Sequence, residues 1–249
     1  MKENRRSISG TGAEKVFQTF FRPGHFPLRT SVAATNGVAQ FDDTNAPLGS
    51  MRLYRARIGS GPPRGLLNWY RAEGNFLDSA GPKHGTPSEG FPFSGPAFHF
   101  DDARRVITLN AAPVPPPWTA GFWVSRQNSD DLSAVLLAGD DLALKLEQWP
   151  GSRQVGFSAV GQGDAYFNYV APENAWVHLV FVATPTQTQL FVNGVLQDTL
   201  PGSIPLPRRQ IGSAREGLRG LLDEVQLFDR ALAPDEVQAL FLNFSAPTP

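Results

Sequence analysis

The stretch WVHLVFVATPTQTQLFVNGVL (176–196) decides the fold class. Successive side chains of a β-strand point to opposite faces. Trp176, His178, Val180 and Val182 therefore oppose Val177, Leu179, Phe181 and Ala183. Both faces are apolar apart from His178, so this strand belongs inside a fold with packed material on each side. We read His178 as an ordinary strand histidine with a local hydrogen bond. Downstream, Asn193-Gly194 sits between the apolar flanks Phe191-Val192 and Val195-Leu196. Asn-Gly supplies the two positive-φ residues of a tight hairpin turn.

Outward from this hairpin, short apolar runs alternate with turn residues in both directions. Strands are predicted at GLLNWYRA (65–72), PAFHFD (96–101), RVITL (105–109), TAGFWVSR (119–126), SAVLLAG (133–139) and LALKLEQW (142–149). Further strands are predicted at RQVGFSAV (153–160), DAYFNYV (164–170), VLQDTLP (195–201), RQIGS (209–213) and GLLDEVQLFD (220–229). The 24 glycines and 22 prolines supply the turns between them. One helix is predicted, ALAPDEVQALF (231–241). Pro234 suits a first helical turn, Asp235 and Glu236 suit its positive end, and Val237, Leu240 and Phe241 form an apolar stripe. About a dozen strands with one terminal helix exclude a doubly wound α/β fold and predict an all-β, two-sheet jelly-roll sandwich. Trp118, Trp123 and Trp176 are assigned to its core, and Trp69 to packing.

Upstream, residues 1–15 are polar and aperiodic and read as a leader. VFQTFF (16–21), VAQFDD (38–43) and MRLYRARI (51–58) read as short strands, and GSGPPRG (59–65) as a linker. The expected division is a leader with a small β segment over residues 1–62 and a main domain over 63–249.

The charge is balanced, 22 Lys+Arg against 23 Asp+Glu, and the arginines are scattered. That argues against a nucleic-acid partner or an anionic membrane surface. Without cysteine there are no disulfides and no thiolate sites. His25, His84, His99 and His178 have no metal-motif spacing. No run is long and apolar enough for a membrane-spanning helix, and MKENRRSISGTGAEKVF lacks the apolar region of a signal peptide.

Ordered pieces of the chain resemble a known family. LLNWYRAEGNFLDSAGPKHG (66–85), AFHFDDARRVITL (97–109), GFWVS (121–125), WVHLVFVAT (176–184), TQLFVNGVL (188–196) and GLLDEVQLFDRALAPDEVQALF (220–241) follow one another as in laminin-G-like domains. These domains belong to the concanavalin A-like lectin/glucanase superfamily. The resemblance implies a concanavalin A-like jelly roll, an extracellular or cell-surface location, and a calcium ion near the sandwich rim. TNGVAQFDDTNAPLGSMRLYRARI (35–58) resembles the end of an Ig- or fibronectin-like repeat of large bacterial surface proteins.

Asp78 and Asp223 are the candidate ligands of a structural Ca2+, which takes hard oxygen donors from loops. Asp101 and Asp102 face Arg104 and Arg105 in sequence, which weakens a metal site there. Glycosidase chemistry needs two carboxylates across the scissile bond. Glucanases of this fold carry a Glu-x-Asp-x-x-Glu pattern that is missing here, and Glu147 stands without a partner. Sugar binding needs an exposed aromatic platform with polar neighbours. Trp149, Tyr166, Asn168 and Arg153 are the candidates, with Tyr166 and Asn168 on one face of DAYFNYV. The expected function is a non-catalytic module that recognises a glycan or a protein surface as part of a larger extracellular bacterial protein. A spacer domain and a glucanase-type hydrolase are the alternatives.

Overall fold

The computed structural model describes residues 63–101, 105–127, 133–148 and 152–243, together with four short strands before them. The chain separates into two compact units, Met1–Arg64 and Gly65–Pro249. In the first, β1 (Ser7–Ser9) pairs antiparallel with β3 (Val38–Gln40), and β2 (Val16–Thr19) with β4 (Tyr54–Arg57). Strand β1 lies in the stretch read from sequence as a leader. Most of that unit, and with it most of the stretch 35–58 that carries the Ig- or fibronectin-like resemblance, lies outside the described residues.

The second unit contains β5 (Leu66–Tyr70), β6 (Thr86–Pro87), β7 (Phe93–Ser94), β8 (Ala97–Phe100), β9 (Val106–Thr108), β10 (Trp118–Arg126), β11 (Ala134–Ala138) and β12 (Leu142–Glu147). It continues with β13 (Gly156–Ala159), β14 (Gly163–Tyr166), β15 (Trp176–Ala183), β16 (Gln187–Val192), β17 (Val195–Pro201), β18 (Gln210–Gly212), β19 (Gly220–Phe228) and helix α1 (Pro234–Asn243). One sheet runs β17-β16-β15-β10-β19-β8-β7, with β5 also paired to β19. The other runs β14-β13-β12-β11-β18-β9-β6. The two antiparallel sheets form the expected sandwich.

The main core lies between the sheets. Trp118 and Phe122 of β10, Leu179 and Phe181 of β15, and Leu222 and Leu227 of β19 meet Leu136, Leu144, Leu146 and Phe157 of the opposite sheet. Each fully buried aliphatic or phenyl group contributes roughly 1.5–3 kcal/mol of transfer free energy. A second core lies on the outer face of the first sheet, where Trp123, Val180, Val182 and Phe228 pack under Val237 and Leu240 of α1. This is why Trp176–Ala183 is apolar on both faces: one face meets the other sheet and the other meets the helix.

Helix α1 is held at its start by Glu236, which accepts the Ala233 N–H at 2.9 Å and a two-pronged contact from Arg230 at 2.7 and 2.6 Å. The Glu236 side chain thereby satisfies an orphan donor at the helix N-terminus. The β16–β17 turn places Asn193 at φ 51° and Gly194 at φ 82°, as the Asn-Gly pair predicts. Glycine is required there twice over, since a Cβ on Gly194 would press within 3.2 Å of Phe241 Cβ.

One predicted strand is shorter than its sequence pattern. DAYFNYV does not run through to Val170, because the Tyr169 N–H turns back to the Phe167 carbonyl at 2.7 Å. This three-residue turn ends the regular ladder at Tyr166. Phe167 drops into the main core while Asn168 is pushed to the surface.

Candidate functional site

The outward face of β12, β13 and β14 carries two cross-strand rows. Lys145, Gly156 and Tyr166 lie opposite one another in the first, and Ala143, Ser158 and Asp164 in the second. Directly opposed residues share a face. The neighbouring row of Leu144, Phe157 and Ala165 belongs to the main core, so these two rows face away from it. Strands spaced ~4.8 Å apart put the Lys145 and Tyr166 backbones about 10 Å apart.

Between those ends Gly156 and Gln148 are buried, while Ala143 and Ser158 are partly exposed. Gly156 has no side chain, and the Gln148 amide folds over it. Gln148 Nε2 donates to the Phe157 carbonyl at 3.1 Å and the Ala165 carbonyl at 3.2 Å. A Cβ on Gly156 would meet Gln148 Nε2 at 2.7 Å and the Ala165 carbonyl closer still. In the next row Ser158 Oγ donates to Asp164 Oδ1 at 2.5 Å. At one end Tyr166 is 49% exposed. At the other, Lys145 is buried and paired at 3.3 Å with Glu216 from the β18–β19 loop. The accessible groups of this face are the Tyr166 ring, the Asp164 carboxylate and the partly exposed Ser158 and Ala143, an aromatic surface with polar neighbours that suits the hydroxyl-edged ring of a sugar.

Two more predicted residues flank the same hairpin. Asn168 is exposed, and its backbone N–H donates to Asp198 Oδ2 at 2.7 Å while its carbonyl accepts Gln197 Nε2 at 3.3 Å. Asp198 and Gln197 lie on β17, the edge of the other sheet, so this pair clamps the two sheet edges together just past Tyr166. Arg153 is exposed at φ 50° and pairs with Glu173 at 3.2 Å. Glu173 also pairs with buried Arg126 at 3.2 Å. Arg126 in turn pairs with buried Glu147 and donates to the Ala171 carbonyl at 2.9 Å. Hydrogen bonds from Phe167 N–H to the Val155 carbonyl and from Val155 N–H to the Tyr169 carbonyl, at 2.8 and 2.9 Å, tie the Arg153 and Asn168 flanks together. Tyr166, Asn168 and Arg153 thus come from one hairpin and its two exits. Trp149 lies outside the described residues.

The two metal candidates have other partners. Asp78 is buried, and its Oδ1 accepts the backbone N–H groups of Trp69 at 2.8 Å and Ala80 at 3.0 Å. Its Oδ2 accepts Asn68 Nδ2 at 2.8 Å, and Asn68 Oδ1 accepts Arg208 Nη2 at 2.7 Å. Burial, with the Asp78 charge adding to it, pushes the Tyr70 phenol above its usual range. Asp78 fastens the loop after β5 back onto that strand. Asp223 is buried on β19 and accepts the Glu224 N–H at 2.8 Å. A calcium ion takes roughly six to eight oxygen donors, whereas N–H donors converge on Asp78. Among the described residues no group of three His, Cys, Asp or Glu side chains is placed to hold a metal. Three N–H donors thus take acceptor positions on Asp78 that a Ca2+ bound there would need. Asp101 pairs with Arg105 at 2.9 Å, and that hydrogen bond holds its carboxyl below the ordinary carboxylate range.

Sequence reasoning missed Lys145, Ser158 and Asp164. Their outward alternation against the core leucines was the available signal, but the register that aligns them with Tyr166 is a property of pairing.

A laminin-G-type family model, described as the concanavalin A-like lectin/glucanases superfamily, matches residues 101–238. Among solved structures, domain 4 of AbnA, an extracellular arabinanase from Geobacillus stearothermophilus in complex with arabinotriose, is 16% identical. The match covers 71% of this chain and 98% of that one, with a TM-score of 0.55. The ligand-binding domain of botulinum neurotoxin serotype D in complex with N-acetylneuraminic acid is 12% identical over 72% of this chain and 51% of that one, TM-score 0.57. A Trypanosoma rangeli sialidase is 16% identical over 73% of this chain and 33% of that one, TM-score 0.54. At such identities the likeness is one of fold. No curated protein matches the chain.

Proposed function

We propose a function from one premise: the chain belongs to the concanavalin A-like lectin/glucanase superfamily. In our reading its second unit is a non-catalytic module that binds carbohydrate on the outward face of β12–β14. The observation that carries this is half-exposed Tyr166 standing one row from exposed Asp164, with partly exposed Ser158 and Ala143 beside them. Two of the structural neighbours are sugar complexes, which supports a glycan as the ligand class. The lone glutamate of LEQW, Glu147, is buried against Arg126, so we assign it a structural role and no acid–base chemistry. We place the module in a larger extracellular protein; no helix among the described residues is long and apolar enough to cross a membrane.

A glycan array run with calcium and again with EDTA tests the proposal. It should return binding to one glycan class, unchanged by EDTA because N–H donors already engage Asp78. Tyr166→Ala should weaken that binding about tenfold, the loss of roughly 1.4 kcal/mol of stacking and packing. A blank array for a folded protein would shift the assignment to a protein surface or a spacer role.

A further inference from the structure

We infer that this face selects neutral, hydroxyl-rich sugars over sugars carrying a carboxylate, and that Asp164 sets the preference. The inference rests on the Tyr166 platform proposed above and adds the chemistry of its ligand. Its basis is the charge inventory of the two rows and the hairpin exits.

Lys145 is the cation in these rows, and it is already committed: its side chain is 8% exposed and pairs with Glu216. Arg153 shares the Glu173 carboxylate with Arg126. Neither meets a ligand anion without giving up an existing carboxylate partner, and Lys145 is itself buried. Asp164 differs in kind. It is exposed, it lies one row from Tyr166, and its hydrogen-bond partner among the described residues is the Ser158 hydroxyl at 2.5 Å. A carboxylate has about four lone-pair sites, so capacity remains for sugar O–H donors after that bond. A ring resting on Tyr166 therefore offers its hydroxyl edge to an acceptor of O–H groups. A ligand carboxylate in the same position meets a like charge. At the aqueous surface that repulsion is about 1 kcal/mol at 4 Å, or about fivefold in affinity.

The test is calorimetric titration of the whole chain with two matched probes, galactotetraose and tetragalacturonate, repeated with Asp164→Asn and Tyr166→Ala. Asp164→Asn keeps an oxygen for the Ser158 hydroxyl, and a thermal melt confirms that it folds. The expected result is about fivefold tighter binding of the neutral probe by the native protein, a gap closed to within about twofold by Asp164→Asn. Equal or tighter binding of the uronate, still weakened about tenfold by Tyr166→Ala, would overturn the charge inference while leaving the platform standing. Exposed Arg215 and Arg219 beside Glu216 would then be the groups that meet the ligand. A gap that survives Asp164→Asn would remove Asp164 as its cause. Binding of both probes that ignores Tyr166→Ala would instead sink the platform, and the inference with it.

Discussion

Lowering the pH from 7.5 to 5.0 should destabilise the sandwich by about 2 kcal/mol through one residue, His178. Its side chain is 2% exposed, lies between the β15 backbone and α1, and packs at 5.2 Å from the Trp123 ring and 6.1 Å from Phe241. Nδ1 has no hydrogen-bond partner among the described residues. The acidic group in its cross-strand row is Asp223, two strands away beyond Trp123. Burial pushes the imidazole from 6.5 down to about 3. The unfolded chain therefore takes up a proton below pH 6.5 that the folded chain refuses until about pH 3. Stability from this group is complete above 6.5 and is lost as pH falls through that window, at up to about 1.4 kcal/mol per unit. Urea melts followed by tryptophan fluorescence measure it, since Trp69, Trp118, Trp123, Trp149 and Trp176 all lie beyond the boundary of the first unit. The isosteric control is His178→Phe, which should lose far less stability over the same range. Glu236, held down to about 2 first by the Arg230 hydrogen bond, loses its contribution only as pH falls from 4.5 towards 2, outside the range used. If His178→Phe and the native protein lose equal stability between pH 7.5 and 5.0, the buried neutral histidine is not the cause and the reasoning is wrong.

Two further outcomes follow from the packing around the site. Asp198→Ala releases the Asn168 N–H and the β17 clamp, a charge-assisted bond of about 1.5–3 kcal/mol. It should weaken glycan binding with a smaller change in melting temperature and faster amide exchange at Asn168, and Asp198→Asn should recover part of the affinity; unchanged exchange would rule the clamp out. Arg126→Ala strands buried Glu147 and should cost about 3–5 kcal/mol, whereas Arg126→Met with Glu147→Leu should recover most of it in denaturant melts. A double variant no better than the single would show that the pair's hydrogen bonds to the backbone, such as that to Ala171, matter more than its charges.

The fold was legible in the sequence where one short pattern carried it. The two-faced run at 176–183 is a local alternation, and the structure needs both faces because one meets a sheet and the other a helix. The Asn193-Gly194 turn and the Pro234 helix start are likewise local signals. What escaped reading depended on partners distant in sequence. DAYFNYV has the composition of one strand, but a carbonyl two residues back takes the Tyr169 N–H and separates Tyr166 from Asn168. Asp78 has the residue type and loop position of a calcium ligand, yet three nitrogen donors converge on it once the loop folds against β5. His178 was read as locally hydrogen-bonded, and its backbone N–H does donate to Asn193 Oδ1 at 2.9 Å, but the burial of its ring Nδ1 without a partner among the described residues was not foreseen. The Lys145-Gly156-Tyr166 row could not be read at all, because register is set by two turns whose lengths the residue types leave open.

The most direct test of the central claim is an amide-shift titration of the isotopically labelled chain with the glycan the array selects. The account predicts that the largest shifts fall on Gly156–Ser158 and Asp164–Asn168, saturating together and needing about tenfold more ligand with Tyr166→Ala. Saturating shifts confined to the Asp78–His84 loop, or to any surface away from β12–β14, would contradict it.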